Sequence, residues 1–513
     1  MNLLSDRPAG RNFLVATLCW ASAGGVALSV WCIYLDNVIN NDGIEYIRAA
    51  ESFVTGNWQE AISVWKWPFF PVLIAFLSQL MGVGFETAAH ILNTLFFNVA
   101  VIMFVLTVRA LGGETRRLTV LAALIALTHP AFNEYRSFVI RDPGYLAGYM
   151  AALYFLARAI CDARLRYFAA VVLGLVIASL FRIEGLVLLF FSPLLIYLVS
   201  RPGIQTYWMT SSIVYVSLFA IVAALIGGFW LQGAGSGAEQ PSFITDPISS
   251  LTALWDQITD SIDRKIAILQ RHILGSFAPR YAYLVMSMVA ILITVFAILS
   301  QMTIPWFALL LTAFRYGSGF RSDEQQFVWV TLLILHLVML LVFVQVTFIA
   351  VDRYALGLTL TALLAAPFLL DRIPWRALQG KRRVVAAFFL LWAAGEAVSG
   401  LDNATRHSHL KVAGAWLAER LPHNGTLITN DRRIAYYAGR HQETGSIQTN
   451  FGLLERGLRR GHWANAAYVA ILASDSGEKV RRHFKALWKI EPNEVFRNER
   501  TGDILVYRWP PKK

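Results

Sequence analysis

Residues 11–51 read RNFLVATLCW ASAGGVALSV WCIYLDNVIN NDGIEYIRAA E. The first half is apolar from Phe13 to Leu35, with Arg7 and Arg11 ahead of it and Asp36 just behind. A helix needs roughly 20 mostly apolar residues to cross the hydrocarbon core, so this run is expected to span a membrane. Basic flanks stay in the cytoplasm, which sends the span from inside to outside. It is too long for a signal-peptide core and no convincing cleavage site follows, so it is expected to stay in the mature protein.

The rest of the 513-residue chain follows the same pattern: 56% of residues are hydrophobic and only 15% charged. Mean hydropathy is +0.52. Soluble domains carry about 25% charged residues, so a string of soluble domains is excluded. Aromatics at 13% exclude disorder, and three cysteines exclude a disulfide scaffold. Further apolar runs lie at 88–108, 118–130, 143–159, 167–181, 186–199, 208–231, 283–314, 327–349, 356–370 and 384–399. The expectation is a multi-pass α-helical protein of about 11 spans. Run 283–314 is long enough to hold two segments, and the short pair around Arg182 is alternatively one re-entrant unit.

Charge tests this layout. The net charge is +12. Segments assigned to the cytoplasm hold sixteen basic and six acidic residues, a net of +10, as the positive-inside rule requires. Outer loops of residues 1–400 hold ten basic and sixteen acidic, a net of −6. Residues 401–513 hold nineteen basic and eleven acidic, a net of +8. The excess therefore reads as a topology marker, not as a nucleic-acid surface, and no nucleic-acid partner is expected. An odd number of spans leaves 401–513 outside.

That makes two domains: a membrane domain over 1–400 and a soluble domain over 401–513. Periodicity in the second is α/β, with helices at 409–421 and 477–487, strands at 426–429, 466–473 and 503–507, and a turn at Asn430-Asp431. Cys19, Cys32 and Cys161 all fall in spans; an outer domain without cysteine suits a periplasm. Asn403 and Asn424 begin glycosylation sequons, which random sequence also supplies. Two outer loops exceed simple connectors, 36–66 and 232–282. In the second, Leu251, Leu254, Trp255, Ile258, Ile262, Ile266, Leu269 and Ile273 mark an amphipathic helix, lying on the membrane or packed under the soluble domain.

Four charged clusters fall at outer ends of spans. Asp42, Glu45 and Tyr46 share a helix face at three- and four-residue spacing, where a carboxylate can serve as a base or simply face water. His129, Glu134, Tyr135, Arg136, Arg141 and Asp142 form the second, with Asp142-Pro143 fitting a helix start. Arg182-Ile183-Glu184 sits between short apolar runs, where such groups pair or line a cavity. Asp352-Arg353-Tyr354 is the fourth; its arginine can snorkel or clamp a lipid phosphate.

The order and spacing of these pieces resemble the GT-C type polyprenyl-phosphate-sugar-dependent glycosyltransferases. Among them are the dolichyl-phosphate-mannose–protein mannosyltransferase-like group and the lipid A aminoarabinose transferases. Asp42-Gly43-Ile44-Glu45-Tyr46 resembles the family's Asp-Glu-x-x-Tyr, with Gly43 in place of the Glu. Gly56-Asn57-Trp58 is similar to its Gly-Asp-Trp, and Lys66-Trp67-Pro68-Phe69 to its Lys-Pro-Pro-Leu. Asp142, Arg182 and Arg353-Tyr354 also match family positions.

The resemblance implies a sugar donor on a polyprenyl phosphate and a glycan, lipid or protein acceptor, with membrane lipids as surroundings. It implies inverting transfer at the outer face of a cell inner (plasma) membrane, with the N-terminus cytoplasmic and the C-terminal domain periplasmic. Asp42 would be the catalytic base. Glu45, Tyr46, Lys66, Arg141, Asp142, Arg182, Glu184, Arg353 and Tyr354 would bind substrate. No cofactor is assigned and a divalent metal stays open, since the missing Glu weakens a paired-carboxylate site. No Walker or dinucleotide motif is present. A transporter or flippase of a lipid-linked intermediate is the alternative, permitted by intramembrane charge and short broken spans.

Overall fold

A computed structural model describes residues 7–199 except 37 and 163, residues 247–401 except 275–278, 350, 376 and 377, and most of 407–509. Within the last stretch 423–424, 441–455, 458, 461–465, 474–476 and 499 fall outside the description. The expected span 208–231, the sequon asparagines Asn403 and Asn424, and the side chains of Leu251, Leu254, Trp255 and Ile258 lie outside the described residues.

The chain divides into two units. The first comprises Met1–Val26, Leu95–Glu134 and Arg141–Gly400; the second comprises Ala27–Thr94, Tyr135–Ile140 and Leu401–Lys513. Two long helices, α1 (Arg11–Leu35) and α5 (Phe85–Ala110), contribute to both.

Among the described residues, six helices are long and apolar enough to cross a membrane: α1, α5, Asp142–Asp162, Ala282–Met302, Asp323–Thr347 and Gly380–Leu401. Shorter apolar helices are Phe69–Met81, Leu165–Phe181, Ile183–Leu195 and Ile304–Tyr316. The chain is thus a multi-helix membrane protein with a C-terminal region built on a sheet. The run 283–314 does hold two segments. Helix Ala282–Met302 stops at Thr303, whose φ is +59°, and the next helix starts at Ile304 with Pro305 in its first turn. Proline lacks the N–H that an unbroken helix would need there. The run 356–370 is likewise two short helices, Leu356–Leu363 and Ala366–Asp371, with Pro367 in the first turn of the second.

In the first unit, α8 (Asp142–Asp162) and α9 (Leu165–Phe181) form an antiparallel pair. They cross where glycines permit it: a Cβ on Gly148 would lie 2.7 Å from the Ala178 nitrogen, and one on Gly174 would lie 2.9 Å from the Ala152 nitrogen. Small residues let helix backbones approach in a membrane, where no hydrophobic force drives helices together. The crossing sets the N-terminus of α8 beside the C-terminus of α9.

In the second unit, α2 (Asn41–Val54) buries Ile44, Tyr46 and Ile47 and leaves Asp42 and Glu45 partly exposed. Gly56 takes φ +78°, and Asn57 then caps α3 (Trp58–Val64) by accepting from the Glu60 N–H at 3.3 Å. The Gly56-Asn57-Trp58 motif is therefore a turn and a helix start.

The sheet of the C-terminal region has the order β1-β2-β4-β3, from β1 (Thr426–Thr429), β2 (Ala466–Ala473), β3 (Glu494–Phe496) and β4 (Asp503–Arg508). β1 runs parallel to β2; β4 runs antiparallel to both β2 and β3. Strand alternation feeds two cores. Leu427, Ala470, Ile504 and Val506 pack with helices Ser408–Arg420 and Arg432–Tyr437. Ile428, Val469, Ile471, Leu505 and Tyr507 pack with Phe484 of helix Gly477–Trp488. The three expected strands and two expected helices are present, while β3 and the helix after Asn430-Asp431 were not foreseen.

Candidate functional site

The α8–α9 crossing brings Asp142 and Arg182 together, 40 positions apart in sequence. Asp142 begins α8 with Pro143 behind it, as expected of a helix start. Its carboxylate is spent on Arg182, whose Nη1 donates to Asp142 Oδ1. Arg182 also grips Glu184, with Nε 3.1 Å from each carboxylate oxygen and Nη2 donating to Oε1. The guanidinium lies 4.7 Å from the ring centroid of Tyr354 and 5.8 Å from that of Tyr145. Arg182 and Asp142 are both buried. A buried arginine held by two carboxylates is what low polarity demands, since each charge alone would be very costly there.

These residues stand at one end of a cavity of about 500 Å³ in the first unit. Asp142, Arg182, Glu184, Arg353 and Tyr354 all line it, as do Tyr145 and His336. Its remaining walls are aliphatic and aromatic, from α10 (Ile183–Val199) and helix Asp323–Thr347, including Val187, Val338, Val342 and Phe343. Chain geometry aims the last pair. Phe348 ends helix Asp323–Thr347 in the left-handed region at φ +56°, and a 3₁₀ turn at Asp352–Ala355 follows. Tyr354 then packs against Phe343 with ring centroids 4.3 Å apart and planes tilted by 35°, and the Arg353 guanidinium lies 5.6 Å from the Tyr354 ring.

His336 is the site residue that sequence reasoning missed. It sits inside an apolar run and is buried. Its Nδ1–H donates to the Leu332 carbonyl at 2.9 Å, leaving Nε2 to accept from Tyr145 Oη at 3.4 Å. A lone ionisable residue in the middle of a span was the available signal. Tyr145 carried none, because an aromatic near a span end is ordinary.

Other expected site residues lie elsewhere. Arg141 precedes α8 and is not part of the cavity lining. Asp42, Glu45, Tyr46 and Lys66 belong to the second unit. Tyr46 is buried and packs edge-on against Trp65 at 4.6 Å and Phe70 at 5.2 Å, so its ring supports the fold. Glu45 pairs with Arg432. Lys66 is exposed between α3 and the helix Phe69–Met81.

His129 caps a short helix at Pro130–Asn133: Nδ1 accepts from the Ala131 N–H at 3.1 Å, and Nε2–H donates to the Met302 carbonyl at 3.2 Å. Both nitrogens are engaged, so it is structural. Among the described residues no group of three or more His, Cys, Asp or Glu side chains is placed to hold a metal ion. In the cavity, both carboxylates are already held by a guanidinium, a poor fit for a divalent cation.

Glu134 lies just outside the spans. Burial, and then the charge of Asp352, push its carboxyl up to about 7. Asp352 accepts a hydrogen bond from Ser300 Oγ at 2.7 Å.

Residues 66–230 match the family model of dolichyl-phosphate-mannose-protein mannosyltransferase. Among solved structures, the Archaeoglobus fulgidus oligosaccharyltransferase in complex with zinc and sulfate is similar at 12% identity. The match covers 89% of this chain and 68% of that one, with a TM-score of 0.53. The fold is of the GT-C type. The Archaeoglobus fulgidus oligosaccharyltransferase AglB, solved with an inhibitory peptide and a dolichol-phosphate, is also similar, at 12% identity over 91% of this chain and 71% of that one, with a TM-score of 0.45. No curated protein sequence matches the chain significantly. The GT-C resemblance read from the sequence therefore agrees with the fold and with the family model, whose match includes Asp142 and Arg182 and does not reach Asp42 or Arg353-Tyr354.

Proposed function

We propose that this protein transfers a sugar, with inversion, from a polyprenyl-phosphate donor to an acceptor hydroxyl at the outer face of a cell inner membrane. The acceptor is a hydroxyl of a glycan, a lipid or a protein. One observation carries the donor half of this reading: a cavity with cations at one end and apolar walls along the rest. That combination suits a phosphate whose ester chain is a hydrocarbon.

Arg353 is assigned to the departing phosphate. Arg182 already serves two carboxylates, so its part is to hold the charged end in shape. Glu184 and the Tyr145–His336 pair offer hydrogen-bond partners to the sugar. Asp42, of the second unit, is assigned as base on its place in the Asp42-Gly43-Ile44-Glu45-Tyr46 motif. It takes the proton of the acceptor hydroxyl as that oxygen bonds to the anomeric carbon. The carbon–oxygen bond to the lipid phosphate breaks, and the phosphate leaves with the electron pair and without a proton. One base therefore suffices. Preorganised cations stabilise the charge that develops on the leaving group.

The test uses full-length protein in detergent with a polyprenyl-phosphate sugar. Asp42→Asn is expected to lower turnover by about 10²–10⁴-fold, the usual contribution of a positioned base, with donor binding kept. Arg353→Gln is expected to weaken donor binding as well as turnover. Transfer at the wild-type rate by Asp42→Asn would remove the base assignment. Movement of labelled donor across vesicles with no transfer to any acceptor would replace the whole proposal with a flippase.

A further inference from the structure

A second cavity, of about 550 Å³, lies in the first unit away from the charged one. It runs between the helix Ile304–Tyr316 and the helix Gly380–Leu401. Among the described residues, none of the second helix is buried. Arg372 donates to the carbonyls of Tyr316 and Gly317 at 2.9 and 2.8 Å. This ties the end of the first helix to the connection that leads into the second.

The groove is polarised along its length. Lys381 and Arg382 stand at the start of the second helix, exposed, at the end nearest that connection. Pro305, Leu309, Val385 and Phe389 form apolar walls. Two indoles fix its margins: Trp375 Nε1 donates to the Leu370 carbonyl at 3.0 Å, and Trp392 Nε1 to Glu396 at 2.8 Å. Trp306 meets Phe389 edge-on at 5.7 Å behind the wall. Trp375 stands ahead of the span, where tryptophan is enriched at the membrane–water boundary.

We infer that this groove is a binding site for an anionic phospholipid, with the headgroup phosphate on Lys381 and Arg382 and an acyl chain along the apolar walls. The charge complementarity selects the occupant: a zwitterionic lipid would gain the apolar contact but lose the net attraction to two adjacent cations. The sequence layout assigns Arg372 to Arg383 to the cytoplasmic side, where anionic headgroups attract basic residues at membrane surfaces. The site is separate from the proposed donor cavity and shares no lining residue with it.

The experiment is native mass spectrometry of the full-length protein, titrated with phosphatidylglycerol or phosphatidylcholine of matched chains. Wild type is expected to retain phosphatidylglycerol at about tenfold lower concentration than phosphatidylcholine. The double variant Lys381→Gln, Arg382→Gln is expected to lose that preference. Ala386→Trp, which fills the groove and keeps both cations, is expected to lose the phosphatidylglycerol adduct itself. The inference is overturned if wild type does not distinguish the two lipids, or if both variants hold phosphatidylglycerol as wild type does. Displacement of the lipid by equimolar glycerol 3-phosphate would also overturn it, because the cations alone would then be the site.

Discussion

At the scale of single residues, the charged cluster in the cavity of the first unit depends on compensation. Arg182 answers two carboxylates, and removing it would leave Asp142 buried with its negative charge unmatched. Breaking a buried pair costs about 3–5 kcal/mol. Arg182→Gln is therefore expected to lower the thermal unfolding midpoint markedly in detergent. Arg182→Gln combined with Asp142→Asn and Glu184→Gln should recover much of the loss, read in the same scan.

Glu134 gives a prediction in pH. Its folded pKa is about 7, above the ordinary glutamate value, so the folded state favours the neutral carboxyl. Below about pH 4.5 the group is neutral folded or unfolded and costs nothing. As pH rises from about 4.5, where the unfolded chain ionises the group, to about 7, where the folded carboxyl charges too, up to about 3 kcal/mol of stability is lost, and the loss is constant above that. Glu134→Gln should match wild type near pH 4.5 and be more stable at pH 8. A difference independent of pH would show that burial of Glu134 is not the cause.

At the scale of elements, the antiparallel crossing of α8 and α9 creates the site. Neither Asp142 nor Arg182 is informative alone; the close approach at Gly148 and Gly174 places them together. Gly148→Val puts carbon into the neighbouring backbone and is expected to separate the helices. Donor binding should fall more than tenfold, with helical content by circular dichroism nearly unchanged. A variant that binds donor normally would mean the crossing tolerates a wider spacing than the geometry allows.

At the scale of the whole molecule, the second unit joins the segment 36–66 to the C-terminal region. Val38 lies in one core with Leu410, Leu417 and Ile434, and Ile39 and Ile44 pack with Tyr436 and Tyr437. The Ile39 N–H donates to Tyr437 Oη at 2.8 Å, and Glu45 pairs with Arg432. The acidic segment 36–66 and the basic C-terminal region thus share a specific ion pair. Arg432→Glu should destabilise this unit, and adding Glu45→Arg should restore it, with a coupling of about 1 kcal/mol for a pair that is partly exposed. Denaturant unfolding of the two single variants and the double variant measures that coupling.

Much of this fold was legible in sequence because membrane spans and strands are local patterns. Apolar run length marked the long helices, and period-two alternation marked β1, β2 and β4. β3 escaped because three residues carry no period, and the break at Thr303 was only half visible, as an overlong run with Pro305 inside it. The site was less legible for a different reason. Sequence supplies residue types, and Asp42, Asp142, Arg182, Glu184, Arg353 and Tyr354 could be chosen on type and position relative to the spans.

Which charges cancel, however, is a matter of distance. Arg182 was a candidate substrate contact in the sequence, and the structure adds its pairing with Asp142 and Glu184; Tyr46 was another candidate, and its ring is buried against Trp65 and Phe70. His336 entered the cavity from the middle of an apolar run. The sequence by itself determined a helical membrane protein with a basic α/β region at its C-terminus, and its short motifs resemble those of GT-C glycosyltransferases. Only the tertiary structure decided that Arg182 is held by two carboxylates and which residues wall the cavity beside it. Burial and electrostatic pairing act between groups that the chain separates by tens or hundreds of residues.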